Sequence, residues 1–211
     1  MFRDRLEAGR RLGDHLHTLL AGETDILVLG IPRGGVIVGR PVADRLGARL
    51  DAIVPRKIGA PGEPELAVGA LAMAGQEEIL VLDHQLVRQL AVSDAYLEEE
   101  TARQRREIER RVAAYSAGRE PVAGRTAVIV DDGIATGLTA RVAALSVARL
   151  NPKQVLVAVP VAPGETVKAF SRFGLRLEPL ETPSPFMAVG QFYRDFRQVE
   201  DDEVLAALRQ R

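Results

Sequence analysis

Two neighbouring carboxylates, Asp131 and Asp132, close an apolar run, Val128-Ile129-Val130, and open the stretch Gly133-Ile134-Ala135-Thr136-Gly137-Leu138-Thr139. An ionised carboxylate only accepts hydrogen bonds, so vicinal hydroxyls of a sugar are natural partners for an adjacent pair. Gly133 and Gly137 let the backbone approach a ligand closely, while Thr136, Thr139 and the open amides of a starting helix supply outward donors. A nest of that kind suits a phosphate monoester. Phosphate beside a diol describes a ribose 5-phosphate. The same residue types also make an ordinary strand, acidic turn and threonine-capped helix, and chemistry alone leaves both readings open. Rival motifs fail: a triphosphate loop needs Lys where Leu138 stands, and the dinucleotide pattern G-x-G-x-x-G is matched neither here nor at residues 30–39. An aspartyl-phosphate hydrolase would normally set one residue between its two aspartates.

Other residues could meet the charged ends of such a ligand. Arg33-Gly34-Gly35 follows a second apolar run; Gly34-Gly35 alone reads as a tight strand-to-helix turn, and Arg33 tilts it toward an anion. Arg56-Lys57 opens a proline- and glycine-rich segment, 56–65, ending in Glu65, which reads as a mobile loop and a candidate lid bearing cations. Solvated surface is the usual fate of charged loop residues. Phe186, Phe192 and Tyr193 can stack on a planar base or simply fill a core. His15, His17 and His84 show no metal-ligand spacing.

The elements that must hold these residues alternate. An amphipathic helix is expected at 3–20, strands at 26–29 and 51–55, and a helix at 36–46 whose Pro41 should make its first turn irregular or late. Two strands, 66–73 and 78–82, are expected outside a parallel core across the turn Ala74-Gly75-Gln76-Glu77. Ser93 caps a long helix to 118, with Leu97, Ile108, Val112 and Tyr115 as a thin apolar stripe. Its interleaved acids and arginines read as a solvated face rather than a nucleic-acid arm, and a dimer contact there is left open. Strands at 126–130, 155–159 and 175–180 alternate with helices ending near 150 and 170. Residues 183–197 lack periodicity, and 201–210 form a last helix. The class is α/β, a single domain over 1–211 with a mostly parallel sheet flanked by helices.

Composition bounds the rest. With 28 Lys and Arg against 29 Asp and Glu, no global field favours nucleic acid or an anionic membrane, so any anion site must be local. The absence of cysteine excludes disulfides and thiolate chemistry. No apolar block suits a signal peptide or a membrane span, which points to the cytoplasm.

The stretch from Val128 to Thr139 resembles the 5-phosphoribosyl-1-pyrophosphate signature of type I phosphoribosyltransferases. Phe2-Arg3-Asp4-Arg5, Pro32-Arg33-Gly34-Gly35, Arg56-Lys57-Ile58-Gly59-Ala60-Pro61, Pro64-Glu65-Leu66-Ala67 and Ala188-Val189-Gly190 extend the likeness to a bacterial group whose acceptor is unknown. The resemblance implies a type I phosphoribosyltransferase-like fold with a flexible loop, a helical insertion at 93–118 and a small hood at 183–197. It gives Asp131 and Asp132 to the ribose, Gly133, Ile134, Ala135, Thr136, Gly137, Leu138 and Thr139 to the 5-phosphate, and Arg33, Gly34 and Gly35 to the pyrophosphate, where a cis peptide is common. Arg56, Lys57 and Glu65 fall on the catalytic loop, and Phe186, Phe192 and Tyr193 on the acceptor side. Magnesium is expected mainly through the ligand, with Asp131 and Asp132 acting indirectly. The implied reaction moves ribose 5-phosphate to a nitrogen acceptor and releases pyrophosphate; a non-turning sensor and a ribose-phosphate hydrolase are the alternatives. Ala135 stands where purine-type members commonly carry an acid, which weakens a purine acceptor.

Overall fold

The computed structural model describes residues 1–74, 77–115, 117 and 120–209, with the side chains of Glu65 and Ala74 outside that set. In chain order come α1 (Arg5–Leu19), β1 (Ile26–Gly30), α2 (Gly34–Leu46), β2 (Arg49–Ala52), β3 (Arg56–Ala60), β4 (Glu63–Ala74) and β5 (Glu77–Leu82). They are followed by α3 (His84–Gln89), α4 (Asp94–Tyr115), β6 (Thr126–Val130), α5 (Leu138–Ala148) and β7 (Gln154–Val161). Last come α6 (Gly164–Arg172), β8 (Arg176–Glu181), a 3-10 turn at Val189–Phe192 and α7 (Asp201–Arg209).

β1 and β6 are buried at every position, as continuous apolar runs inside a parallel sheet should be. They pair in register from Ile26 with Thr126 to Gly30 with Val130. Around them the sheet runs β2-β1-β6-β7-β8, parallel throughout. The chain leaves β1 to one side for β2 and later fills the other side with β6. Their carboxyl ends therefore flank a topological switch point, where open α/β sheets bind ligands.

Helices cover both faces. Asp4 caps α1 by accepting from the Glu7 amide at 2.7 Å, and Leu12 and Leu16 turn inward with Gly9 and Gly13. Those glycines let α1 lie directly on α2: a Cβ on Gly9 would overlap the Val38 carbonyl and the Pro41 ring. The irregular first turn expected of α2 is not seen. The helix starts at Gly34 and carries Pro41 inside it, with burial against α1 offsetting the missing amide bond.

Residues 56–65, expected to be a mobile loop, form the strands of a hairpin. β3 pairs antiparallel with β4 and β4 with β5, giving a separate three-stranded sheet. Gly59 marks the register shift in that hairpin, where a Cβ would stand 2.7 Å from Pro64 Cα. The breakers thus make a bulge rather than a loop. Ala70 and Ala72 pack on Val142 of α5, while Leu71 joins the larger core with Leu97 and Ile108 of α4. α4 begins as expected, the Ser93 hydroxyl accepting from the Tyr96 amide at 3.3 Å. The expected turn residues Gly75 and Gln76, and the expected helix ends at 118 and 210, lie outside the described residues. α3 was not anticipated, although Asp83 caps it through the amides of Gln85 and Leu86. No helix among the described residues is long and apolar enough to cross a membrane.

Candidate functional site

Asp131 leaves β6 and its Oδ1 accepts from the Asp132 amide at 2.8 Å. Asp132 Oδ2 in turn meets Arg5 Nε at 2.7 Å, with only 11% of the Arg5 side chain and 16% of the Asp132 side chain exposed. Burial raises the pKa of Asp131 well above the ordinary carboxylate range, and the neighbouring Asp132 charge adds to it. Burial also raises that of Asp132, against the opposing pull of Arg5. Ile134 then dips into the core while Ala135 and Thr136 are exposed, so the turn opens to solvent.

Gly137 ends this turn at φ +76°, in the left-handed region, and starts α5 without a side-chain cap. The first-turn amides of a helix have no intrahelical acceptor, so α5 presents an uncapped positive end beside the acidic pair. The turn is anchored from behind: Thr166 Oγ1 donates to the Ala135 carbonyl at 2.6 Å, and the Ile134 amide to Val161 O at 3.0 Å.

The loop after β1 closes the other side. The Pro32-Arg33 peptide is cis. A Cβ on Gly34 would run into the Asp132 carboxylate, and one on Gly35 into the Val130 carbonyl and Asp131 Cα. Both glycines are therefore required by the close approach of the two strand ends. The 183–197 segment, the expected hood, covers this junction, since a Cβ on Gly133 would collide with Val189.

A family model for the phosphoribosyl transferase domain matches residues 4–172. This chain belongs to the phosphoribosyl transferase family. Two Mycobacterium tuberculosis proteins, from strains H37Rv and CDC 1551, are each 44% identical to it over 99% of the chain, and both carry a provisional phosphoribosyl transferase name. The chain spans 46% of the length of those curated relatives. The crystal structure of TT1426 from Thermus thermophilus is 43% identical, with a TM-score of 0.80 over 99% of this chain and 97% of that one.

Within this phosphoribosyl transferase chain the expected site residues divide. The acidic pair, the 133–139 turn and Arg33-Gly34-Gly35 come together at the switch point. Arg33 itself leans toward α7, with Nη1 3.9 Å from Asp201 Oδ1. Arg56 does not reach over the turn: its Nε donates to Gln104 Oε1 on α4 at 2.9 Å. Strand alternation sends Lys57 to the opposite face, which it shares with its partner Ala70 and which packs on α5. The Glu65 side chain lies outside the described residues. Among the aromatics, Phe186 and Phe192 pack at a 44° tilt with ring centres 4.9 Å apart, and Tyr193 departs from the expectation. Its ring is 6% exposed, and its hydroxyl donates to the Asp132 carbonyl at 2.6 Å, so it braces the acidic pair instead of offering a stacking face. Arg5 and Thr166 were missed, because contacts across 127 and 31 residues leave no trace in local spacing.

The tether at Arg56 gives a direct test. Gln104 is buried and its amide also donates to Glu100 Oε1 at 2.7 Å. Arg56→Ala leaves the Gln104 oxygen without that donor, which costs about 1–3 kcal/mol. Chemical denaturation is expected to show that loss; unchanged stability would mean that Arg56 does not spend its time on α4.

Proposed function

We propose that this chain binds 5-phosphoribosyl-1-pyrophosphate at the carboxyl ends of β1 and β6 and transfers its ribose 5-phosphate to a nitrogen acceptor. The observation carrying the reading is the half-buried carboxyl pair beside a solvent-open turn that leads into the uncapped start of α5. The 5-phosphate takes the 135–139 amides and threonine hydroxyls, and Asp131 and Asp132 accept from the ribose hydroxyls. In the reaction the sugar–pyrophosphate bond breaks with its electron pair leaving on pyrophosphate, and the acceptor nitrogen forms the new bond to the same carbon. A nitrogen that carries a proton gives it up to solvent or a base. Ala135 cannot be that base, which disfavours acceptors needing a proton removed at that point.

Two carboxylates, one already engaged by Arg5, suit a magnesium ion held mainly by ligand oxygens. Such an ion would supply charge neutralisation at the pyrophosphate. Around it the chain positions the sugar through Asp131 and Asp132 and the phosphate through the turn. One observation favours a second reading, a non-turning sensor of the same ligand: Arg56 is held by α4 rather than over the site.

Calorimetric titration with 5-phosphoribosyl-1-pyrophosphate and magnesium tests the site. Asp131→Asn removes a charged acceptor and is expected to weaken binding about 10- to 100-fold; undiminished binding ends the assignment. The pH dependence has a defined sign. A raised pKa means that Asp131 takes a proton at a higher pH than an ordinary carboxylate at about 3.9, and the protonated form is a poorer acceptor. The affinity ratio of native chain to Asp131→Asn should therefore shrink on acidification, starting above that value, while titration of the ligand's phosphates cancels in the ratio. Pyrophosphate release across an acceptor panel then separates transferase from sensor, and release without any acceptor identifies a hydrolase.

A further inference from the structure

The N-terminal Phe2-Arg3-Asp4-Arg5 stretch has a place in the fold that the proposed reaction does not use. The Phe2 amide donates to Phe192 O at 2.7 Å, and the Arg194 amide donates back to Phe2 O at 2.9 Å. Asp4 starts α1, and this delivers Arg5 to the acidic pair. Besides its 2.7 Å contact with Asp132, Arg5 donates from Nη1 to Arg197 O at 2.9 Å, and its guanidinium carbon stands 4.0 Å from the Phe196 ring centre. Phe196 packs on Tyr193, whose hydroxyl holds the Asp132 carbonyl. Asp132 is thus gripped at both its carboxylate and its carbonyl.

Stability alone gives no reason for this pair. Withdrawing two charges from water is costly, and an ion pair this covered is commonly matched or bettered by apolar residues of similar volume. What the fork of Arg5 gives is geometry: Asp131 is turned by the Asp132 amide, Asp132 by Arg5, and the two carboxylates end at fixed positions, Asp132 beside Gly34 and Asp131 beside Gly35. Two acceptors at a fixed separation are what a diol needs, and prior fixing removes the ordering cost from binding.

We infer that Arg5 is a positioning residue, locking Asp132 beside Asp131 so that the pair recognises the diol of a sugar phosphate rather than phosphate alone. The inference rests on the ribose-phosphate reading above. Glu203, paired with Arg197 at 2.6 Å, also lies on the Arg5 side of this cluster, with Asp4 and Asp195 lining the same surface.

The readout is a ratio: affinity for ribose 5-phosphate divided by affinity for inorganic phosphate, each measured by calorimetry on the full chain. Arg5→Met is expected to lower the ratio about tenfold, the scale of one charge-assisted hydrogen bond, with the affinity for inorganic phosphate itself little changed. A merely loosened fold would weaken both ligands and leave the ratio standing. Arg5→Lys keeps the charge but cannot hold Asp132 and the Arg197 carbonyl together, so its ratio should fall between those of the native chain and Arg5→Met. It also decides the matter should Arg5→Met fail to fold. An undiminished ratio in the variant that folds overturns the inference and leaves the ribose-phosphate site intact. A native chain that shows no preference for ribose 5-phosphate over phosphate overturns that site and the inference with it.

Discussion

Gly35→Ala is expected to lower stability by about 3 kcal/mol and the melting temperature by about 10 °C, the upper end for overpacking in a chain of this size. Its added methyl would overlap the Val130 carbonyl oxygen and stand 2.8 Å from Asp131 Cα. Both are backbone atoms at the end of β6, in the centre of the sheet, so no side chain can swing aside. Relief can come only by pushing the start of α2 away from the end of β6, which would break the Ile31 amide's 2.8 Å bond to Val130 O. The same displacement would open the gap between Gly34 and Asp132, and ligand binding should fall with stability. Gly164→Ala is the matched control, since a Cβ there meets nothing within 4 Å and its φ is not positive. Differential scanning calorimetry on both variants decides it. Equal melting temperatures would mean that the two strand ends are not held this close.

The central sheet was legible because its strands obey a local rule. Ile26-Leu27-Val28-Leu29 and Thr126-Ala127-Val128-Ile129-Val130 are apolar on both faces, and β1 and β6 follow those runs closely. The acidic pair and the glycine turn were legible for the same reason, being fixed to the end of one strand. The β3-β4 hairpin was not. Gly59, Pro61, Gly62 and Pro64 are punctuation, and punctuation does not distinguish a bulged hairpin from a loop. Pro64 is tolerated because it stands near the start of β4. The supporting shell was least legible. Arg5 and Tyr193 meet Asp132 across 127 and 61 residues, and only the folded topology brings those distances to 2.7 and 2.6 Å. Tyr193 was expected to offer a stacking face, but it is its hydroxyl, not its ring face, that meets the acidic pair.

Phe2→Ala should uncouple the hood from the sheet. Phe2 is fully buried, with its ring centre 5.4 Å from that of Tyr193 and the Arg11 guanidinium carbon 4.6 Å away on its face. Removing a buried phenyl ring costs about 3–5 kcal/mol when the structure around it cannot collapse. The penalty here falls on a short segment whose other ties are a few backbone bonds to 192–195 and the Arg5 contacts with Asp132 and the Arg197 carbonyl, so detaching that segment is an easier response than unfolding the sheet. Hydrogen exchange is the suitable measurement. Amides at 193–195 are expected to exchange about 100-fold faster, matching about 3 kcal/mol of lost local stability, while those of β1 and β6 change far less. Ribose 5-phosphate binding should weaken in step, because the fraying end carries Arg5 away from Asp132 and releases the Tyr193 hydroxyl from its carbonyl. Inorganic phosphate, which the proposed function assigns to the α5 turn, should bind as before, since Thr166 anchors that turn independently of the N-terminal segment. A uniform rise in exchange across hood and sheet alike would show instead that the N-terminal segment is an integral part of the core, and that the acidic pair is not braced by a separable clamp.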